Sequence, residues 1–336
     1  MQVGLEGRIH IVLNLATRSA SVQIQRPLAA IQKLLVGKTV EQVLEHIPLL
    51  FSICSYAQSL AALNACQQAL GIAMNKELQT AQQELVNLET QREHVLRILM
   101  DWNEQAPNPA LVQQAMRVLP QAKASWFKAG QAFSLDSEVA IIDTDILDAW
   151  DAFLDTHIFA MPVDEWSRLN TLQALQAWID AQATLPAQAL AQLQQQHLAS
   201  LGANAFPLAQ EASVLKRQAQ QPVIQASLTR YGNGVFTRHL ARLVELANAP
   251  SWQNDWVEAA RGELQHEVTL NADQAIETYK ILAPTDVNFA ASGIAAAGLQ
   301  TLLQTTQNSM QLDHYARLWI AAIDPCVAYE LELQHA

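Results

Sequence analysis

The spacing of hydrophobic residues changes near the start of the chain, from strict alternation to helical periodicity. Residues 8–13 alternate between apolar and polar, and residues 20–25 alternate again after the turn-like sequence at residues 17–19. Alternation points successive side chains to opposite faces of a strand, so it predicts a β-hairpin at the start of the chain. Beyond this hairpin, apolar residues recur three and four positions apart, which predicts helices.

The helical pattern extends to about residue 103. The predicted helices span residues 27–35, 39–46, 53–72 and 76–103. Pro27 and Thr39 suit the first positions of two of them, and Gly71 suits the end of the third. The fourth carries charged residues spaced for contacts three and four positions apart, namely Glu84, Glu89, Arg92 and Glu93.

The middle of the chain, residues 105–230, is rich in Ala and Gln and gives mixed signals. It is predicted to be helical, with helices near 108–119, 145–157, 164–183 and 187–200. Five aspartates between Asp143 and Asp155 suggest a calcium loop, but the Gly and terminal Glu of an EF-hand are missing. These aspartates are better explained as one solvated helix face.

Strands return in the last third of the sequence. A helix at 236–247 precedes two alternating stretches, 257–270 and 276–282, which bracket a turn and predict a second hairpin. A loop at 283–288 and helices at 292–305 and 309–322 follow. We therefore expect residues 1–336 to form a single domain that is mainly α with an antiparallel β minority.

Composition narrows the functional classes. Half of the 336 residues are hydrophobic and 15% are charged, which excludes a disordered chain. The formal charge of −12 suggests no phosphate-binding face, so nucleic acid is not expected as a partner. The sequence has no long apolar run and no signal peptide, so we expect a cytoplasmic protein with no membrane contact. Three cysteines are too few for a disulfide framework and fit free thiols in a reducing compartment.

Two of the three cysteines occupy notable positions. Cys326 follows Asp324-Pro325, where the proline fixes the turn and so the direction of the thiol. Cys54 lies where a loop enters a long helix, and the positive end of the helix dipole favours a thiolate there. Each thiol could instead be a small buried hydrophobe. Cys66, in the middle of the same helix, is expected to be structural.

Polar residues in the last third offer further candidate contacts. Arg261, beside Gly262, carries five fixed donors that suit a small anion such as cyanide or carboxylate, although an isolated Arg is more often at the surface. At Pro284-Thr285 a hydroxyl and turn amides could add donors, or the segment could be an ordinary turn. The histidines His239, His266 and His314 lack metal-ligand spacing. No Gly-rich phosphate loop, Gly-x-Ser-x-Gly elbow or Cys-x-x-Cys pair is present in the sequence.

Taken in order, five segments of the chain resemble the large subunit of [NiFe]-hydrogenases. Residues 5–11 resemble the family's Arg-x-Glu-Gly-His strand, and residues 53–71 the helix that follows its first Cys-x-x-Cys. Residues 258–266 resemble its Glu-Ala-Pro-Arg-Gly segment, 279–288 its Tyr…Pro-Thr-Thr-x-Asn segment, and 324–328 the start of its Asp-Pro-Cys-x-x-Cys-x-x-His. The resemblance implies a helical bundle like that of the large subunit, with β-hairpins at the N-terminus and in the C-terminal half.

The chain departs from the family where the metal ligands should be. Cys54 and Cys326 each keep one cysteine of a pair. The other positions of these motifs are changed: Phe51 and Tyr329 replace cysteines, and Gln58 and Glu332 replace histidines. Outside them, Ala260 replaces the proline before Arg261. In the family four thiolates hold nickel and iron, so two thiolates cannot form the usual centre. We therefore expect no nickel and no hydrogen turnover.

These departures resemble the HupK/HoxV-type hydrogenase accessory proteins. The resemblance implies a non-enzymatic scaffold that transiently carries the Fe(CN)₂(CO) unit to the hydrogenase large subunit precursor, together with other maturation proteins. Cys54 and Cys326 would bind the iron, and Arg261, Pro284 and Thr285 would surround its cyanides. The sequence ends four residues after Glu332, so we expect no long C-terminal extension of the kind removed during hydrogenase maturation.

Two other hypotheses remain open at this point. The chain could be a docking chaperone that mimics the large subunit and never carries metal. It could also be a divergent catalytic subunit, which would need nickel and a small-subunit partner. The resemblance also implies that the two thiols approach each other, which the sequence alone does not establish.

Overall fold

The computed structural model describes residues 7–25, 28–102, 106–248 and 256–335. The strands within these ranges are β1 (Arg8–Asn14), β2 (Ser19–Gln25), β3 (Val257–Ala259), β4 (Gly262–Leu270), β5 (Ile276–Leu282) and β6 (Ala328–Gln334). The helices are α1 (Leu28–Leu35), α2 (Val40–Leu50), α3 (Ser55–Leu70), α4 (Lys76–Asp101), α5 (Pro109–Trp126), α6 (Thr144–Leu154), α7 (Val163–Trp166), α8 (Leu172–Ala181), α9 (Leu185–Gln195), α10 (Val214–Gln218), α11 (Pro222–Tyr231), α12 (Val235–Asn248), α13 (Pro284–Asn288), α14 (Ile294–Thr305) and α15 (Ser309–Ile323).

The predicted fold class is confirmed, because helices dominate and the strands form two small sheets. Local capping signals located several helix ends correctly. Thr39 caps α2 in a capping box with Gln42, and Gly71 ends α3 at a φ of 67°. The expected positions Leu5, Glu6, Pro27 and Asn103 lie outside the described residues.

Several predicted boundaries in the middle of the chain are wrong. The helix expected at 164–183 is two helices, α7 and α8, because the Thr171 side chain caps a new start by accepting from the Ala174 N–H. The helix expected at 187–200 ends at Gln195, and α5 continues past its expected end through Pro120. The short helices α10 and α11 were not predicted. The expected loop at 283–288 is the short helix α13.

The N-terminal sheet joins the two ends of the chain. The predicted hairpin is present, with β1 antiparallel to β2 and Ile9 opposite Ile24. On its other side β1 pairs in parallel with β6, so that Ile11 lies opposite Leu331. The strand β6 was not predicted, and it fixes the position of the segment that carries Cys326.

The second sheet has the order β3-β4-β5. The single strand expected at 257–270 folds back on itself, because Ala259 pairs with Gly262 and leaves Arg261 in the turn. Gly262 has a φ of 137°, and a Cβ there would lie 2.2 Å from the Ala212 carbonyl oxygen. Only glycine fits this position, and the tight turn that results presents Arg261 to the interior.

The buried residues form two hydrophobic cores. The larger core contains β1, α4, α5, α12, α14 and α15, and the smaller lies between α1, α2, α3 and the second sheet. Helix α4 separates them, with Leu85 and Leu88 in the larger core and Val86 in the smaller. Cys54 belongs to the smaller core, whereas Cys326 packs against the larger. Over the described ranges, no helix combines the length and the apolar character needed to cross a bilayer.

Candidate functional site

All five residues proposed from the sequence line one pocket where the two cores meet. The lining residues are Phe51, Ile53, Cys54, Gln58, Ala259, Arg261, Leu264, Ala283, Pro284, Thr285, Cys326 and Val327. The pocket has a volume of about 20 Å³, which is room for about one water molecule. Cys54 and Cys326, 272 positions apart in the sequence, therefore face the same small space.

Cys54 is the N-cap residue of α3 and has an unusual backbone. Its φ of 56° and ψ of 37° lie in the left-handed region, where a residue with a side chain is strained by roughly 1–2 kcal/mol. Its side chain does not cap the helix. Instead, the carboxylate of Glu89 from α4 accepts the Tyr56 and Ala57 backbone N–H groups, each at 2.9 Å. Glu89 thus performs the capping, and the Cys54 thiol is left to face the pocket.

The expectation that the helix dipole favours a Cys54 thiolate is wrong. Burial raises the pKa of the Cys54 thiol well above its ordinary value, although the Arg261 guanidinium opposes this shift. Glu89 and Glu93 add to the effect of burial by placing carboxylates nearby. The group that meets the pocket at neutral pH is therefore a thiol, and binding a metal there must release its proton.

Arg261 connects the half of the site around Cys54 with the half around Cys326, and it is 4% exposed. Its Nη1 donates to Cys54 Sγ at 3.1 Å and to Glu93 Oε2 at 2.9 Å. On its other edge Nε lies 3.2 Å from Asp324 Oδ2. Two carboxylates compensate this buried charge, so that one corner of the guanidinium remains directed at the pocket.

A second network of charges holds the backbone that carries Arg261. The Arg217 guanidinium donates to Glu258 Oε2 at 2.7 Å and to the Ala259 carbonyl at 3.0 Å. It also donates to both oxygens of Glu245, at 2.6 and 2.7 Å. Glu258, which belongs to the motif matched in the sequence, therefore ties β3 to α10 and does not reach the pocket.

Cys326 is positioned by the end of α15 and by Thr285. Arg242 donates to the Ala322 carbonyl at 3.0 Å, and Asp324 ends the helix at a left-handed φ of 65°. The Thr285 hydroxyl contacts Cys326 twice: it donates to Sγ at 3.0 Å and accepts the backbone N–H at 3.1 Å. Pro284 lines the pocket as the first residue of α13. Thr285 therefore donates a hydrogen bond to the Cys326 sulfur, as Arg261 does to the Cys54 sulfur.

Sequence analysis missed the roles of Glu89 and Glu93. The sequence indicated for them only contacts with neighbouring turns of the same helix, but Glu89 and Glu93 are 1% and 6% exposed and bind residues of other elements. The signal was present: Leu85, Glu89 and Glu93 recur every four residues, so the two carboxylates continue an apolar stripe of α4. Carboxylates in such a stripe must find donors from neighbouring elements.

The site offers fewer metal ligands than a closed metal centre. In the part of the chain that the structure describes, no group of three or more His, Cys, Asp or Glu side chains is arranged to hold a metal ion. Two thiols face the pocket, and the nearby carboxylates are used by Arg261 and by the α3 N-terminus. Any metal bound here must bring some of its own ligands.

Comparison with known proteins gives a consistent result. No protein-family model matches the chain. The chain is 29% identical to the hydrogenase expression/formation protein HupK of Azotobacter vinelandii, covering 99% of this chain and 100% of the relative. The chain is similar over its full length to HupK. A hydrogenase expression/formation protein named HupV, from Azotobacter chroococcum mcd 1, is also 29% identical, over 99% of this chain and all of the relative. HupK of Rhodobacter capsulatus is 28% identical over 92% of this chain and 91% of its own length.

Solved structures confirm the expected fold. The Ni-Fe-Se hydrogenase of Desulfovibrio vulgaris Hildenborough superposes with a TM-score of 0.59 at 13% identity, covering 92% of this chain and 93% of the other. An NAD⁺-reducing [NiFe]-hydrogenase gives a TM-score of 0.53, also at 13% identity, over 92% of each chain. The resemblance to HupK-type proteins and to the fold of hydrogenase large subunits is thereby confirmed.

The substituted ligand positions divide into two groups. Phe51 and Gln58, which the resemblance matches to a cysteine and a histidine of the family, line the pocket. Tyr329 and Glu332 lie in β6 and do not line the pocket. Of the described residues that follow α15, Cys326 and the adjacent Val327 are the two that line it.

Proposed function

We propose that this chain is a scaffold for hydrogenase maturation that carries an Fe(CN)₂(CO) unit between Cys54 and Cys326 and passes it to the hydrogenase large subunit precursor. One observation carries the proposal. Two thiols from distant parts of the chain share one pocket, and each already has a donor, Arg261 Nη1 at 3.1 Å and Thr285 Oγ1 at 3.0 Å. The names of the relatives, hydrogenase expression/formation proteins, agree with an accessory role and not a catalytic one.

The donors suit the cargo, which is a substrate of the scaffold and not a resident cofactor. Cyanide nitrogens on iron are hydrogen-bond acceptors, and a guanidinium is among the strongest donors a protein can offer them. When the two thiols lose their protons to bind iron, Arg261 compensates part of the new negative charge. The Thr285 hydroxyl can rotate from Cys326 Sγ towards a ligand on the iron.

The pocket must widen to accept this cargo. Its volume of about 20 Å³ holds about one water molecule, whereas an iron with three diatomic ligands is several times larger. A neighbouring pocket of about 430 Å³ shares two wall residues with it, Ile53 and Val327. Both lie outside regular helices and strands, whereas Leu264, another residue that lines the pocket, is paired in the second sheet. Movement of Ile53 and Val327 would join the two spaces.

Incomplete ligation is useful in a carrier. We infer that this site, with two thiolates, binds the iron less tightly than a large-subunit site whose four thiolates hold nickel and iron together, so that transfer to the recipient is favourable. Burial also favours the protonated Cys54 thiol, so that reprotonation assists release. We propose the large subunit precursor and other maturation proteins as partners, and the cytoplasm as the compartment.

Iron analysis of cysteine variants tests the proposal. The protein is purified without air from cells that express the maturation machinery, as the unaltered chain and as Cys54→Ala, Cys326→Ala and Cys66→Ala. Cys66 is fully buried in α3 and does not line the pocket, so it is the matched control. We expect iron in the unaltered protein and in Cys66→Ala only. Unchanged iron in either pocket variant would refute the carrier.

A metal-free docking chaperone is the second candidate. The observation that favours it is the size of the pocket, since both thiols are satisfied by protein donors and little space remains between them. Such a chaperone would mimic the large subunit to bind maturation proteins. It predicts that Cys54→Ala and Cys326→Ala support hydrogenase maturation as well as the unaltered chain does.

A further inference from the structure

A chain of hydrogen bonds leads from the second sheet to the pocket through Gln58. His266 of β4 contacts the Gln58 Oε1 atom through Nε2 at 2.8 Å, and its Nδ1 lies 2.8 Å from the Tyr279 hydroxyl of β5. Gln58 is the fourth residue of α3 and lines the pocket, and its backbone N–H donates to the Cys54 carbonyl. Its amide therefore lies one helical turn from the Cys54 thiol.

The direction of these bonds follows from the tyrosine. Burial lowers the pKa of His266 to about 3, so the ring is neutral and carries one N–H. Among the described residues, His266 Nδ1 is the one hydrogen-bond partner of the Tyr279 hydroxyl, whose residue is 3% exposed. A buried hydroxyl proton without an acceptor is costly, so Tyr279 donates to Nδ1. The imidazole proton is then on Nε2 and is donated to Gln58 Oε1.

The nitrogen end of the Gln58 side-chain amide faces the pocket. With Oε1 held by His266, the Gln58 Nε2 group must point the other way, and no described residue accepts its protons. Gln58 is 5% exposed and is one of the pocket-lining residues, so these protons are directed into that space. A reversed amide would present an acceptor instead and would leave the tyrosine unsatisfied.

We propose that Gln58 is a third donor to the cargo, held in the donating orientation by His266 and Tyr279. This assignment rests on the proposed function and adds a residue to it. Arg261 approaches from the side of Cys54 and Thr285 from that of Cys326, and the Gln58 amide supplies a neutral donor to a third position. Its acceptor is a diatomic ligand of the iron. Gln58 is thus a binding residue, and His266 and Tyr279 are positioning residues.

Infrared spectra of the loaded protein test the donor. The unaltered chain and Gln58→Leu are purified anaerobically from cells with the maturation machinery, and the bands of metal-bound cyanide and carbonyl are compared. We expect Gln58→Leu to retain the bands but to shift at least one, because a ligand loses a hydrogen bond. Bands at unchanged positions would overturn the role of Gln58 and leave the carrier function intact. Absence of bands from the unaltered protein would overturn both.

A second variant tests the positioning without touching the pocket. Tyr279→Phe removes the hydroxyl that fixes the tautomer, so we expect the imidazole nitrogen NMR signals of His266 to lose the Nε2–H pattern and the infrared bands to broaden or split. Tyr231→Phe is the matched control, because it removes a hydroxyl that bonds Gln194, away from the site. An unchanged His266 tautomer in Tyr279→Phe would refute the positioning of Gln58 by Tyr279 and His266.

Discussion

The two halves of the pocket hold their thiols in different ways. Cys54 is 5% exposed, sits in a left-handed backbone conformation and contacts a buried guanidinium that two carboxylates compensate. Cys326 is only partly buried and contacts a neutral hydroxyl. The first half is assembled from charges that depend on one another, whereas the second depends on ordinary hydrogen bonds and on the end of one helix.

This difference suggests that the two thiols have different roles in the site. The Cys54 half is prearranged and costly to disturb, which suits a fixed anchor for the cargo. The Cys326 half is more accessible and is joined to its surroundings by weaker contacts, which suits the side from which cargo enters and leaves.

Removal of the donor to each thiol, Arg261 or Thr285, should show the largest difference in stability between the two halves. Arg261→Ala leaves Glu93 and Asp324 buried without their shared partner, and we expect a loss of about 3 kcal/mol in the free energy of unfolding. Thr285→Val removes two hydrogen bonds of a neutral hydroxyl and should cost about 1 kcal/mol. Urea unfolding measures both. Equal losses would contradict the proposed difference between the halves.

Glu89, beneath Cys54, should contribute to the pH dependence of stability with a sign opposite to that of the buried histidines. Burial raises the pKa of Glu89 to about 7, although the Tyr56 and Ala57 N–H groups oppose the shift. Its folded form then keeps a proton that the unfolded chain has lost, so the contribution of Glu89 to stability falls as pH rises from about 4.5 to about 7. At about 1.4 kcal/mol per pH unit, this contribution falls by about 3 kcal/mol, whereas that of His266, whose pKa burial lowers to about 3, rises over the same range.

The variant Glu89→Gln cannot ionise and isolates the Glu89 contribution. We expect the unfolding free energy of the unaltered chain, minus that of the variant, to fall by about 3 kcal/mol between these pH values in urea unfolding. A difference that does not change with pH would contradict this role.

The thiols themselves should differ in reactivity. In the protein without cargo, we expect iodoacetamide at neutral pH to modify Cys326 at least roughly ten times faster than Cys54. The reason is that Cys54 is buried and its thiol is held in the protonated form. Cys66, which is fully buried and whose pKa burial raises to about 12, serves as the unreactive reference. Mass spectrometry of the digested protein gives the rates. Equal rates at Cys54 and Cys326 would contradict the difference in access.

Prediction from sequence succeeded where the signal was local. Thr39 and Gly71 marked helix ends through their own side-chain and backbone preferences, and Cys54 was correctly placed at a helix start. It failed where the partner was distant. The parallel pairing of β6 with β1 joins positions about 320 residues apart, and the strand β6 itself was not predicted.

Prediction of the site residues also succeeded for local motifs and failed for distant partners. The resemblance to hydrogenase large subunits named Cys54, Cys326, Arg261, Pro284 and Thr285, and the structure brings these five to one pocket. It did not name the residues that position them, since Glu89 and Glu93 act across the boundary between two cores. Such roles depend on burial in the folded chain, which changes a carboxylate from a solvated charge into a helix cap or an ion-pair partner.

Infrared spectroscopy tests the central claim most directly. The unaltered protein is purified without air from cells that express the hydrogenase maturation machinery, beside Cys54→Ala and Cys326→Ala. We predict absorption from metal-bound cyanide and carbonyl in the unaltered protein and its loss in both variants. A blank spectrum together with an absence of iron would contradict the carrier and support the docking chaperone.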